Sequence, residues 1–466
     1  MYSEKFDSPF YTEDTDCEDC DQQMFEYDYE YEDINVDTLR DVYDNCIVPS
    51  VFETAKYLTP LLLASLVFNV LTQIILIKKL PHYLFHMLSI AIGIYTLQHY
   101  VPECLYLLLT YAVLSYACLC LPRRYQRGGE VFVISLLVIL YCEYTMEPSA
   151  WHKVRSVMMI AAMKAVSVSL DKSNNNDFPN VWQYPGYLFG AATCLFGPWI
   201  SFKDYIGLLD NERSSLSLEW IIQIVKHYTV SLVFLSVSNC WSGWLLADSS
   251  TKWVLAYRDA LSFRTSHYFI CYASSSVLLL GGYPSSLTTI VKPGDIEMPR
   301  SLVQVVVSWN IPMHTWLKLY IFRPATKRIG KFSAVTLTYL TSALLHGLNF
   351  QLAAVLLSLG FYTYVEFQLR NILAHAFDAC ISAKRCPTEK CCHKKNPENC
   401  YWVIVANLSF SVLSIFHLAY LGLMFDTSDI QESGYSYSHT IDKWSQLGFA
   451  SHWVALATYV IYFLLR

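Results

Sequence analysis

Two polar residues stand in apolar surroundings: Asn310 within SWNIPMHTW (308–316) and His346 within SALLHGLNF (342–350). The histidine follows FSAVTLTYLTSALL and precedes QLAAVLLSLGFYTYV, which puts it at hydrocarbon depth. An ionisable side chain there is costly and by default marks a functional site. Imidazole is the usual general base, and Gly347 beside it can absorb a bend; the alternative is a structural histidine bonded to a neighbouring carbonyl. Asn310 is flanked by Trp309 and Trp316, with Pro312 two residues on. Its amide can donate to a developing oxyanion or hold a substrate in register. A helix N-cap, favoured by the proline, is the other reading.

The rest of the sequence must position these two groups. The chain has 466 residues, 54% hydrophobic and 15% charged, with a mean hydropathy of +0.30. Clear apolar runs occupy 57–77, 83–100, 105–121, 131–144, 184–200, 220–237, 332–345, 351–367, 401–424 and 447–465. Weaker ones lie at 158–170, 260–280 and 302–321. At roughly 20 residues per crossing these make about 9–11 transmembrane helices, with re-entrant or interfacial pieces between them. The fold class is all-α, a polytopic membrane protein embedded in a lipid bilayer.

The net charge of −6 hides a split, because residues 1–45 carry 16 acidic and two basic side chains. Such a segment buries too little apolar surface to offset its ordering entropy, so residues 1–50 are expected to form a disordered acidic tail ahead of a domain at 51–466. No cleavable signal peptide precedes it, and the first apolar run would insert as a signal anchor. Basic residues cluster at Lys78-Lys79, Arg123–Arg127, Arg323–Lys331 and Lys384–Lys395. Lys/Arg bias marks the cytosolic side, so the acidic tail faces away from the cytosol, the C terminus returns to it, and the span count is odd, 9 or 11. His346 then lies towards the far leaflet. No nucleic-acid partner is expected.

Other residues carry weaker signals. Lys164, in the sparsely charged stretch 151–167, could meet phosphates or lipid headgroups, or snorkel; Arg258, Arg264 and Arg300 could neutralise phosphates. The Cys17/Cys20 pair and the Cys386, Cys391, Cys392, His393, Cys400 group match no closed zinc template, so no metal is expected; palmitoylation is the favoured reading for some of these thiols. There is no G-x-S-x-G, HExxH, P-loop or GxGxxG pattern. A buried base without a protein nucleophile suggests that the attacking hydroxyl arrives on a substrate.

The spaced Asn and His in long apolar context resemble the membrane-bound O-acyltransferase family. Longer strings are similar to its branch that acylates Wnt proteins: WHKVRSVMMIAAMKAVS (151–167), FGPWISF (196–202), PRSLVQVVVSWNIPM (299–313), SALLHGLNFQLAAVLLSL (342–359), IFHLAYLG (415–422) and KWSQLGFASHW (443–453). The likeness covers roughly residues 55–466. It implies an endoplasmic-reticulum enzyme with a chamber open to both sides. Acyl-CoA, palmitoleoyl-CoA in particular, would enter from the cytosol as co-substrate without a further cofactor, and a Wnt serine hydroxyl from the lumen. By the same resemblance His346 and Asn310 are the catalytic pair. Trp309 would line the acyl or CoA path, with Trp316, Arg300 and Lys164 as further substrate-binding candidates. A lipid O-acyltransferase for lysophospholipid or sterol, and a non-enzymatic transporter or scaffold, are the rival functions; the sequence shows no internal repeat of the transporter kind.

Overall fold

In a computed structural model, residues 38–121, 129–174, 178–210, 217–246, 250–386, 391, 393–425 and 437–466 are described. The acidic stretch 1–37, with Cys17 and Cys20, lies outside them, as does Cys392. The regular structure of the described residues is helical, with one isolated bridge between Ala379 and Lys395. The long helices are α1 (Leu39–Ile77), α2 (Tyr83–Tyr100), α3 (Pro102–Cys120), α4 (Glu130–Thr145), α5 (Pro148–Asn174), α6 (Leu218–Leu245) and α7 (Lys252–Leu280). They are followed by α8 (Leu302–Trp309), α9 (Ile311–Leu317), α10 (Lys331–Leu345), α11 (Phe350–Phe377), α12 (Tyr401–Gly422), α13 (Tyr437–Gln446) and α14 (Ala450–Leu465).

Helix α1 starts inside the segment that composition assigned to the tail. Thr38 explains why: its hydroxyl accepts from the Asp41 N–H at 3.3 Å while the Asp41 carboxylate accepts from the Thr38 N–H at 2.9 Å. This reciprocal box satisfies two orphan donors, so the helix forms even though Leu39 and Tyr43 are exposed. A disulfide between Cys46 and Cys240, with Cα atoms 5.9 Å apart, ties the start of α1 to α6.

Five helices among the described residues are long and apolar enough to cross a membrane: α1, α3, α6, α11 and α12. A sixth counts if α13 and α14, bent by 75° at their junction, make one span. This is fewer than the sequence count, for three physical reasons. The runs at α4, α10 and α14 form helices of only 15 or 16 residues, short of the roughly 20 that span hydrocarbon. Helices α5 and α7 are long but turn Lys164 and Arg264 into the protein. The apolar run at 184–200 is not a span at all: it forms one short helix, Gln183–Leu188, then buried non-helical chain through Trp199. Gly190, Gly197 and Pro198 punctuate that stretch, and irregular backbone at membrane depth is tolerated where protein buries it.

Large apolar side chains point outward on the long helices, among them Leu63, Ile222, Val405 and Leu408, as lipid-facing surfaces require. Inside, α6 packs along α7, α7 against α12, α10 against α11, α11 against α14, and α4 against α5. One core gathers residues from α1–α5 and the 184–208 region, reaching Val305 and Trp316. A second unites Leu302, Tyr362, Tyr420, Trp444 and Ala455. The segment carrying Asn310 touches both.

Candidate active site

Asn310 sits at a break. Helix α8 ends on it and α9 begins after it, and its own backbone is extended, with φ −146 and ψ 91. The broken backbone is satisfied from one neighbouring strand of chain: Ile311 N–H donates to Ile290 O at 2.8 Å, and Lys292 N–H donates to Ser308 O at 3.0 Å. The Asn310 side-chain oxygen accepts from the Met313 N–H at 3.0 Å, which is the capping role. Because that N–H must face an acceptor, the amide is oriented. Its Nδ2 makes no hydrogen bond to any described residue. Cap and free donor therefore coexist in one side chain.

The start of this segment is anchored by charge. Glu366 on α11 accepts from the Leu302 N–H at 2.8 Å and pairs with Arg370 at 3.0 Å; both side chains are almost fully buried. Arg370 also donates to the carbonyls of Arg300 at 2.6 Å, Ile381 at 2.7 Å and Ser382 at 3.3 Å, and to Asn407 Oδ1 at 2.9 Å. Two acidic residues brace the approach to α8. Glu297 forms a two-pronged pair with Arg264 at 2.8 and 2.9 Å, and Asp295 accepts from Gln304 at 2.6 Å and Ser308 at 3.1 Å. A cavity of about 300 Å³ lies behind the 288–295 stretch, lined by His227, Tyr272, Ser275 and Lys292; it contains neither Asn310 nor His346.

His346 ends α10. Its backbone stands at φ −88, ψ 4, and Gly347 follows at φ +88, a left-handed conformation that favours glycine. A side chain at Gly347 would run into the Glu143 carboxylate, which itself accepts from Trp151 Nε1. The Arg155 charge acts on the His346 ring, and the Glu143 charge acts on Arg155. Neither ring nitrogen of the half-buried His346 is hydrogen-bonded to a described residue. The carbonyl-bonded structural histidine is not what is found.

Trp309 stacks on His267 with ring centroids 4.4 Å apart and planes 2° off parallel, and its carbonyl meets His267 Nε2 at 2.9 Å. Phe263 and Phe425 extend this aromatic wall. Trp316 is wholly buried and donates to Met163 O at 3.0 Å. The next residue, Lys164, is also wholly buried; its ammonium donates to Tyr187 O at 3.0 Å, Leu188 O at 3.2 Å and Thr193 Oγ1 at 2.7 Å. Those three bonds tie α5 to the end of the Gln183–Leu188 helix and to Thr193 in the non-helical stretch after it. Arg300 turns its guanidinium to Cys380 O at 2.8 Å and Ser382 O at 3.0 Å. Thus Trp309, Asn310 and Trp316 share one bent segment, Lys164 and Arg300 act on backbone carbonyls, and His346 stands at a separate bend.

Helix α5 carries Arg155, whose charge acts on His346, and, eight residues on, Met163, whose carbonyl accepts from Trp316. That interval is about 12 Å along a helix axis. Sequence reasoning missed Glu143 and Arg155 as neighbours of His346, and the Glu366–Arg370 pair. The signal for the latter was there: opposite charges four apart inside an apolar run.

The chain is a helical membrane protein that belongs to the membrane-bound O-acyltransferase family, whose sequence pattern matches residues 61–387. Among its relatives is the protein-serine O-palmitoleoyltransferase porcupine of Homo sapiens, 35% identical over 451 residues, 90% of this chain and 96% of the relative. The porcupine protein of Drosophila melanogaster is 34% identical over 466 residues, 90% and 85% of the two chains. Lysophospholipid acyltransferase 1 of Arabidopsis thaliana is 21% identical over 295 residues, covering 50% of this chain and 62% of the relative.

Proposed function

We propose that the chain transfers a palmitoleoyl group from acyl-CoA to a serine hydroxyl of Wnt proteins at the endoplasmic-reticulum membrane. The observation that carries the catalytic part is the His346 imidazole, whose two nitrogens have no described partner. In this reading His346 Nε2 or Nδ1 takes the serine proton as the oxygen attacks the thioester carbonyl. The Asn310 Nδ2 donates to the oxyanion, the C–S bond breaks, and CoA leaves as a thiolate that picks up a proton. The product is an oxygen ester. General-base help contributes about 10²–10⁴-fold. Holding both substrates in one dry site adds to it.

The choice of acceptor rests on the relatives: the porcupine matches run nearly end to end, whereas the lysophospholipid acyltransferase matches cover half of the chain. The orientation rests on charge and sulfur. The Cys46–Cys240 disulfide joins the end of the chain next to the acidic tail, as suits the oxidising lumen, while Lys78 and Lys79 sit at the opposite end of α1.

The test is incubation of the purified protein with a clickable palmitoleoyl-CoA and a disulfide-bonded Wnt peptide carrying the serine. Labelled peptide is expected with serine and not with alanine at that position. His346→Ala should accumulate normally and leave no labelled product. Equal labelling by that variant would remove histidine from the mechanism, and label on lysophospholipid but not on peptide would replace the acceptor.

A further inference from the structure

The loop between α11 and α12 gathers sulfur from three places in the sequence. Asp378 turns the chain out of α11 with a left-handed backbone, φ 46. Cys380 follows, and its sulfur lies 3.4 Å from that of Cys386. The sulfurs of Cys380, Cys386 and Cys391 all lie within 4.8 Å of one another. A disulfide needs about 2.0 Å between sulfurs. Thiolates on a tetrahedral zinc at about 2.3 Å stand roughly 3.8 Å apart, and the observed spacing brackets that value.

Two further features suit a metal. The Arg300 guanidinium comes within 3.8 Å of the Cys380 sulfur, a cation beside a cluster that would carry net negative charge once three or four thiolates surround a divalent ion. The loop's two ends are already joined: Cys380 N–H donates to Lys395 O at 2.8 Å and Lys395 N–H to Asp378 O at 3.0 Å. The apolar core here is small, built on Ala374, Ala379, Cys380, Ile381 and Val403, with Cys386, Cys391 and Cys400 packed on it. Small cores of this kind are commonly stapled by disulfides or metals. Basic residues Lys384–Lys395 put the loop on the cytosolic side, where thiols stay reduced and a disulfide does not persist.

We propose that Cys380, Cys386 and Cys391 bind a zinc ion as thiolates, with the fourth position filled from within the loop by Cys400 or His393. On binding, each thiol gives its proton to solvent. The ion would fix the carbonyls of residues 380–383, which accept from Arg300, Ser301 and Arg370. Zinc would thus brace the start of the segment that carries Asn310, about ten residues away along the chain. Sequence spacing hid the site because Cys380 lies just past the end of α11 rather than in the cysteine-rich run.

Full-length protein purified in detergent without chelator is expected to carry about one zinc per chain, measured by plasma mass spectrometry. Cys386→Ser and Cys391→Ser should each lower this at least five-fold. Single Cys400→Ala and His393→Ala variants identify the fourth ligand by which one loses zinc. Cobalt exchanged into the wild type should give thiolate charge-transfer absorption, a readout that needs no variant and no enzymatic activity. Wild-type protein with less than one-tenth of an equivalent of zinc after incubation with the ion would overturn the proposal. So would unchanged zinc in the Cys386→Ser/Cys391→Ser double variant, or mass spectra showing Cys380–Cys386 disulfide or acylated Cys386 as the main form.

Discussion

In the proposed mechanism Asn310 has two tasks, one at each end of its amide, and substitutions separate them. Its oxygen caps α9 through Met313, and its nitrogen has no described partner. Replacing it by Asp keeps an oxygen in the capping position and removes both nitrogen donors. Ser is also a preferred cap, is neutral, and is too short to carry a donor to the same point. Ala removes both functions. Losing a cap costs about 1 kcal/mol, while losing one oxyanion donor lowers kcat about 10²–10³-fold, some 2.7–4 kcal/mol of transition-state energy. Asn310→Asp and Asn310→Ser should therefore melt close to the wild type yet turn over at least about 100-fold more slowly. Asn310→Ala should do both, melting lower as well. The assay is steady-state transfer in detergent with palmitoleoyl-CoA and peptide varied in turn. A donor acting only in the transition state lowers kcat and leaves KM nearly unchanged. If Asn310→Asp turns over at the wild-type rate, or if activity falls only as far as melting temperature does across the three variants, Asn310 is a cap and nothing more.

Two other perturbations test the supports. Gly347→Ala forces a side chain into a left-handed backbone and into the Glu143 carboxylate, costing about 1–3 kcal/mol; adding Glu143→Ala should restore part of the lost thermal stability, and strictly additive losses would show that the two residues do not meet. Arg370→Met leaves the Glu366 carboxylate buried and unpaired, a loss of about 3–5 kcal/mol, seen as early aggregation in heated size-exclusion runs; Glu366→Gln in the same chain should lose less than the sum of the singles.

The parts that were legible are those where one residue type departs from its surroundings. Asn310 and His346 stood out as polar groups in apolar runs, and both stand at helix breaks beside Pro312 and Gly347. The membrane class was visible from hydropathy alone. Span number was not, because hydropathy measures burial without saying whether lipid or protein does the burying. The run 184–200 reads as a span, yet only its start is helical, and Lys164 meets the carbonyls of Tyr187 and Leu188 where that short helix ends. The same limit applies to Lys164 and Arg300. Their charges suggested phosphates, whereas both donate to backbone carbonyls, a pairing that only the folded chain brings about. Cys380 was passed over for a related reason: its partners lie six and eleven residues on, across a turn that starts with a left-handed aspartate.

Both candidate residues occupy breaks, but the two breaks are supported differently, and the difference matches their chemistry. Around Asn310 the opened backbone is paired on both sides, at Ile290 and at Lys292, and the side chain is held by its own cap. A donor that must already face the developing charge gains from such rigidity, since any reorganisation at the moment of reaction would subtract from its effect. Around His346 the turn rests on two short backbone bonds, His346 N–H to Ala343 O at 3.0 Å and Gly347 N–H to Leu344 O at 3.0 Å, while the ring itself is bonded to nothing described. A base has to approach a hydroxyl, take its proton and then give that proton up, so a ring free to turn about its side-chain torsions serves better than a pinned one. The Glu143 carboxylate, which accepts from Trp151 Nε1, lies where a side chain at Gly347 would go. The proposed oxyanion donor is thus held by its own cap at one helix break, and the proposed base stands at another, beside Gly347.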